Sequence, residues 1–123
     1  MKKLKSYIYL LLIVLMVSCH KEFDINFGFD SPIDSSSNGL VIAKISQNVE
    51  KIYLSGFINL AKGEVDVYLT NPEGIAVYSK TIVAPIELNI SETFEAKTGY
   101  WKLKYISKGG AGKIDLHLFK HLK

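Results

Sequence analysis

The chain has 123 residues, formal net charge +3 and 48% hydrophobic residues, enough for one domain with a core of its own and too few for two. It contains no arginine, and removal of Lys2, Lys3 and Lys5 with a leader leaves twelve lysines against twelve acids. Specific phosphate and base recognition leans on the bidentate arginine fork, and non-specific nucleic-acid binding needs a basic excess, so no nucleic-acid partner is expected.

The N-terminus has three parts. Lys2, Lys3 and Lys5 give a positive start, Tyr7 to Val17 form an apolar run of 11 residues, and the small Ser18 precedes Cys19. This is the order of a secretory signal. A spanning helix needs about 20 apolar residues to cross about 30 Å of hydrocarbon, and His20, Lys21, Glu22 and Asp24 stop the run at once.

Met16-Val17-Ser18-Cys19 resembles the lipobox of bacterial lipoproteins, with Met16 where that family usually has Leu. The resemblance implies cleavage between Ser18 and Cys19, diacylglycerol on the Cys19 sulfur and an acylated new N-terminus. The implied localisation is the cell envelope, lipid-anchored at the outer membrane, with the bilayer as a partner through Cys19. A thiolate is the nucleophile that a thioether linkage requires. Each buried CH₂ contributes about 0.8 kcal/mol, and two or three acyl chains exceed what stable attachment needs. Cys19 is the only cysteine, so once acylated it leaves no thiol for disulfides, metal ligation or redox chemistry. Cys19-His20-Lys21-Glu22-Phe23-Asp24 is also similar to the tether that directs some Bacteroidetes lipoproteins to the cell surface, although Phe23 interrupts the acids.

Residues 19–39 read as the lipidated cysteine and a linker, closed by Asp34-Ser35-Ser36-Ser37-Asn38-Gly39. Phe23, Ile25, Phe27 and Phe29 alternate within it and suit an extra edge strand docked on the domain; contact with lipid headgroups is the other reading.

Residues 40–123 carry no helical period and read as an all-β domain, a single antiparallel β-sandwich of seven strands. The strands are Leu40–Ser46, Lys51–Leu60, Glu64–Thr70, Ile75–Val83, Ile86–Ala96, Tyr100–Ser107 and Lys113–Lys120. Asn71-Pro72-Glu73-Gly74 suits a type I turn with a left-handed Gly74, a three-residue loop and a G1 bulge. It sets Asn71 opposite Ile75, Asp66 opposite Lys80 and Tyr68 opposite Tyr78, and keeps charge off the face of Val65, Val67 and Leu69. A second hairpin, with Lys108 to Ala111 as its loop, sets Tyr105 opposite Ile114, Trp101 opposite Leu118 and Lys104 opposite Asp115. Trp101, Leu103 and Tyr105 then point inward, with Trp101 as the central core residue. Gly99-Tyr100-Trp101-Lys102-Leu103, with the Gly-rich turn after it, resembles small β-sandwich accessory modules of secreted bacterial proteins, such as pre-peptidase C-terminal and jelly-roll-like domains. That resemblance implies a module that binds, spaces or stabilises.

The search for chemistry gives little. The histidines are His20, His117 and His121, and Asp115 with His117 makes two ligands where zinc takes three or four. The glycines of Lys108 to Gly112 lack the helix that a phosphate loop opens. No enzyme, cofactor or metal is expected. Tyr68, Tyr78 and Tyr100 are expected on outer faces, Tyr100 beside Phe119, where exposed rings can stack on a glycan or contact an envelope protein. The expected function is a non-catalytic, lipid-anchored binding or assembly module. A glycan-binding accessory lipoprotein is the alternative.

Overall fold

The structure, a computed structural model, describes residues 27–123. Six strands and no helix occur among the described residues: β1 (Phe27–Ile33), β2 (Asn38–Ile45), β3 (Val49–Thr70), β4 (Ala76–Val83), β5 (Ile86–Glu95) and β6 (Gly99–Leu122). All pairings are antiparallel, and they join the strands into one sheet. The all-β class and antiparallel pairing are as the sequence led us to expect.

The two long strands organise everything else. β3 and β6 pair from Val49↔Leu122 to Thr70↔Lys102. In the first half of the sheet, the early part of β3 and the late part of β6 are flanked by β5 and β1. In the second half, the late part of β3 and the early part of β6 are flanked by β4 and β2.

Between the halves lies a crease. The β3–β6 register shifts on both sides of Lys62, and Gly63 and Gly109 take left-handed φ of +72° and +68°. Glycine is needed at Gly63 for a second reason: a Cβ there would overlap the Gly109 carbonyl. The buried set on β3 changes from even positions (Ile52, Leu54, Ile58, Leu60) to odd ones (Val65, Val67, Leu69). On β6 it changes from odd (Trp101, Leu103, Tyr105) to even (Ile114, Leu116, Leu118). An extra residue at a bulge flips the side-chain alternation and sharpens the bend, so each strand turns the corner with the same face inward. The β1–β2 and β4–β5 connections sit on the same line. Ser107 N donates to Ser37 O at 2.8 Å, Gly109 N to Ser35 O at 3.0 Å, and Ala84 N to Gly63 O at 2.9 Å.

Folded this way, the inner faces share one apolar core. Phe29 of the first half meets Tyr105 of the second edge-on, ring centroids 4.8 Å apart. Gly39 lies against both rings, where a Cβ would clash. Far from the crease, residues 46–48 and 96–98 link the two halves at an open end. Trp101 closes this end. It is 1% exposed, and its indole N–H donates to the Lys97 carbonyl at 2.8 Å.

Several sequence expectations need correction. The stretch read as linker holds strands: Phe27 and Phe29 dock in β1 as the expected edge strand, and β2 begins at Asn38. The supposed end of the linker is a tight turn: Ser37 N bonds back to Asp34 O, and Ser36 N bonds to Asp34 Oδ1. Ser18, Cys19, Phe23 and Ile25 lie outside the described residues.

Seven expected strands become six, because 51–60 and 64–70 merge into β3, 100–107 and 113–120 merge into β6, and β1 is added. The expected hairpin at Lys108 to Ala111 does not form, because β6 continues across the crease and pairs with β3 on both sides of it. Tyr105 therefore faces Val67 and Gly39, Trp101 faces Ala43, and Lys104 lies far from Asp115 along the strand. The Asn71–Gly74 turn forms with Gly74 at φ +81° and Gly74 N donating to Asn71 O at 3.0 Å. An irregularity at Leu69/Thr70 then shifts the register, so Asp66 faces Thr81 and Tyr68 faces Ser79. Lys80 comes opposite Val67, which is tolerable because β4 is an edge strand and Lys80 stays exposed.

Candidate functional site

The outer face of the second half carries exposed apolar side chains set among lysines. β2 presents Leu40, Ile42 and Lys44 outward, since its other residues, Val41, Ala43 and Ile45, face the core side. β6 presents Tyr100, Lys102 and Lys104, alternating with buried Trp101, Leu103 and Tyr105. Opposed residues share a face, so the register gives three mixed pairs: Leu40 with Lys104, Ile42 with Lys102, and Lys44 with Tyr100. Leu40 is 55% exposed, Ile42 50% and Tyr100 58%.

An open groove of about 590 Å³ lies at the open end of this face. Ile42, Tyr100 and Lys102 form one side, and Thr70, Asn71, Pro72 and Gly74 the other, with Gly99 between. The Asn71 side chain fixes the second wall. Its Oδ1 accepts from Glu73 N and Ile75 N, each at 3.0 Å, which satisfies a buried amide and holds the turn. Gly99, at φ +134°, lets Pro72 approach; a Cβ there would press on the proline ring. Lys97 and Glu73 pair at 2.8 Å on the surface and tie the two turns together.

Of the three tyrosines singled out from the sequence, two reach this face. Tyr100 lines the groove, paired across from Lys44 rather than beside Phe119, which faces Tyr53 on the other half. Tyr68 is half-buried next to Lys104. Tyr78 is not outward: it faces Leu69 and packs against the core, and burial pushes its hydroxyl pKa up, with the Glu92 charge adding to the effect.

Beside the groove face, Asp66 is only 4% exposed although it sits on the outer side. It accepts from Thr81 Oγ1 at 2.7 Å and from Lys108 Nζ at 2.8 Å, and these side chains cover it. The Lys108 and Thr81 hydrogen bonds hold its carboxyl below the usual carboxylate range.

The outer face of the first half holds His117 and Asp115, with Nε2 to Oδ1 at 2.7 Å. His117 faces Ser55 on β3, on the other half from Lys102, which faces Thr70. Asp30 lies opposite Asp115, and Lys113 is 3.6 Å from Asp30. Ser55 stands opposite His117, which puts a serine, a histidine and an aspartate on one face. A proton relay needs the histidine to bond its orienter through one nitrogen and the nucleophile through the other. Here Nδ1 is buried over Gly28 without a hydrogen-bond partner, so the ring is not bonded to Ser55. No group of three or more His, Cys, Asp or Glu positioned to hold a metal occurs among the described residues.

Sequence reasoning missed Leu40, Ile42 and the lysines across from them. The available signal was Leu40-Val41-Ile42-Ala43, apolar at every position where a half-solvated strand should alternate. Comparison with models of protein families gives no match, and comparison with curated proteins gives no significant one.

Proposed function

We propose that this chain is a non-catalytic, lipid-anchored lipoprotein of the cell envelope, held at the outer membrane, whose β domain is a binding or assembly module. The observation that carries the reading is the N-terminal order of lysines, an 11-residue apolar run, and Ser18 before the only cysteine. The fold is compatible with it. Seven residues, 20–26, separate Cys19 from Phe27 in the sequence, and a chain of that length spans about 25 Å at most. The binding surface in this reading is the groove face of Ile42, Tyr100 and Lys102.

Metabolic labelling with palmitate, compared between the parent and Cys19→Ala, tests the anchor. The parent should be labelled and membrane-bound, and the variant unlabelled and unprocessed. Unlabelled, soluble product from both strains would refute the anchor and the localisation together. Protease treatment of intact cells then separates surface display, where the domain is degraded, from a periplasmic orientation, where it survives.

A glycan-binding accessory role is the second reading, favoured by Tyr100, a residue 58% exposed at the groove edge. Tyr100→Ala should then abolish retention on an oligosaccharide array. No retention of the parent across polysaccharide classes removes this reading.

A further inference from the structure

The groove face has a charge and polarity that select among occupants. Its outward lysines Lys44, Lys102 and Lys104 pair with no carboxylate among the described residues. The acids on that face are Glu64 and Asp66, and Asp66 is already taken by Lys108. On the opposite outer face Asp30, Glu87, Glu95 and Asp115 accompany the cations, and Lys51 and Lys113 pair with Glu95 and Asp30. The lysines interleave with Leu40, Ile42 and Tyr100, all half or more exposed. A free sugar needs stacking rings and hydrogen-bond donors but has no use for two exposed aliphatic side chains on an edge strand. An anionic lipid surface uses both parts, since lysines meet phosphates while aliphatic and aromatic side chains enter the headgroup boundary.

Position favours the same occupant. Phe27, the first residue of β1, pairs with Leu118 toward the open end of the folded sheet. The groove walls at Asn71–Gly74 and Gly99 belong to that same end. In the lipid-anchor reading only residues 20–26 lie between Cys19 and Phe27, and seven residues span about 25 Å at most.

We propose that the outer face of β2 and early β6 docks on the anionic phospholipid headgroups of the bilayer that carries the anchor. Leu40, Ile42 and Tyr100 enter the interface, and Lys44, Lys102 and Lys104 meet the phosphates. This names the partner of the groove face and rests on the lipid-anchor reading for its geometry.

The test uses the acylated protein in vesicles of phosphatidylcholine with or without phosphatidylglycerol. Ile42→Cys supplies the only free thiol and carries an environment-sensitive fluorophore. A companion carries the same fluorophore at Asn89→Cys, exposed on the outer face of β5. The emission at position 42 should shift to the blue in phosphatidylglycerol vesicles only, and that at position 89 in neither. Each lysine near an anionic surface contributes about fivefold to partition, so Lys44→Gln, Lys102→Gln and Lys104→Gln together should lower the docked-to-undocked ratio about a hundredfold. Equal emission at position 42 in the two lipids overturns the proposal, as does an equal shift at position 89. A shift that grows with protein density in pure phosphatidylcholine makes a second copy the occupant, and a shift on adding soluble oligosaccharide makes a sugar the occupant; either overturns it. Failure of the anchor reads out separately, as protein that takes no acyl label. The unacylated chain is then sedimented with the same vesicles: retention on phosphatidylglycerol supports the face, and its absence overturns it.

Discussion

Trp101→Ala should be the most damaging single truncation at the open end. The indole is 1% exposed, and the residue opposite it on β2 is Ala43, which has no side chain long enough to fill the space left behind. The collapse that softens many truncations is therefore blocked, and the cost should fall in the upper part of the usual range for buried aromatics, about 4–5 kcal/mol. The lost hydrogen bond to Lys97 O adds about 1 kcal/mol or less, because that turn is exposed and water replaces the donor. A domain of this size holds about 5–15 kcal/mol in all, so the variant should stand near the edge of folding. Trp101 is the only tryptophan, so its emission follows unfolding of the parent but not of the variant. Both should be followed by far-ultraviolet circular dichroism in urea. With a slope of about 2 kcal/mol per molar urea, the midpoint should drop by about 2 M. Trp101→Phe keeps most of the apolar area and should lose about 1–2 kcal/mol. A drop under about 0.5 M for the alanine variant would mean that the open end is not closed by this ring.

The remaining predictions concern a close β3–β6 contact, the turn and the covered carboxylate. At Gly56, φ is +149° and a Cβ would overlap the Asp115 carbonyl, so Gly56→Ala must push β3 and β6 apart. It should yield insoluble protein or lower the urea midpoint by more than about 1 M, and unchanged solubility and midpoint would contradict the close approach. Asn71→Ala leaves the Glu73 and Ile75 amides without their acceptor and should cost about 1–2 kcal/mol in the same urea assay. The Asp66 carboxyl titrates lower in the folded chain than in the unfolded one. Its contribution is thus present above about pH 4 and is lost as pH falls through the folded value. Asp66→Asn should flatten the acid limb of the melting temperature against pH and leave its slope at neutral pH unchanged; an unaltered acid limb would refute the role of the Lys108 and Thr81 bonds.

Local signals located most of the strands but not the way two of them continue. The alternation of Trp101, Leu103 and Tyr105, and of Ile114, Leu116 and Leu118, gives the inward face of β6 correctly. The glycines between those runs fit a hairpin loop and a bulged corner equally well, because both reverse the alternation. What decides is the partner: β3 breaks at Ala61 to Gly63, directly across from the break in β6, and the two interruptions stack. That is a long-range match, invisible to a window that reads one loop at a time. The Asn71–Gly74 turn was legible because its glycine and proline requirements are local. The register beyond it was not, because hydrogen bonds to Asp66 from Thr81 and Lys108, 15 and 42 positions away in sequence, outweigh the local argument about Lys80. Tyr100 could be placed outward from its own strand. The groove it lines needs β2 beside β6, which no spacing in the chain announces.

The crease has a consequence for how the domain comes apart. Two backbones serve as beams for both layers, so detaching either layer tears hydrogen bonds out of the other. Amide protons of Leu54 and of Leu69, on opposite sides of the fold line, should therefore exchange with deuterium through one shared opening, and the protein should melt as a single unit rather than by halves.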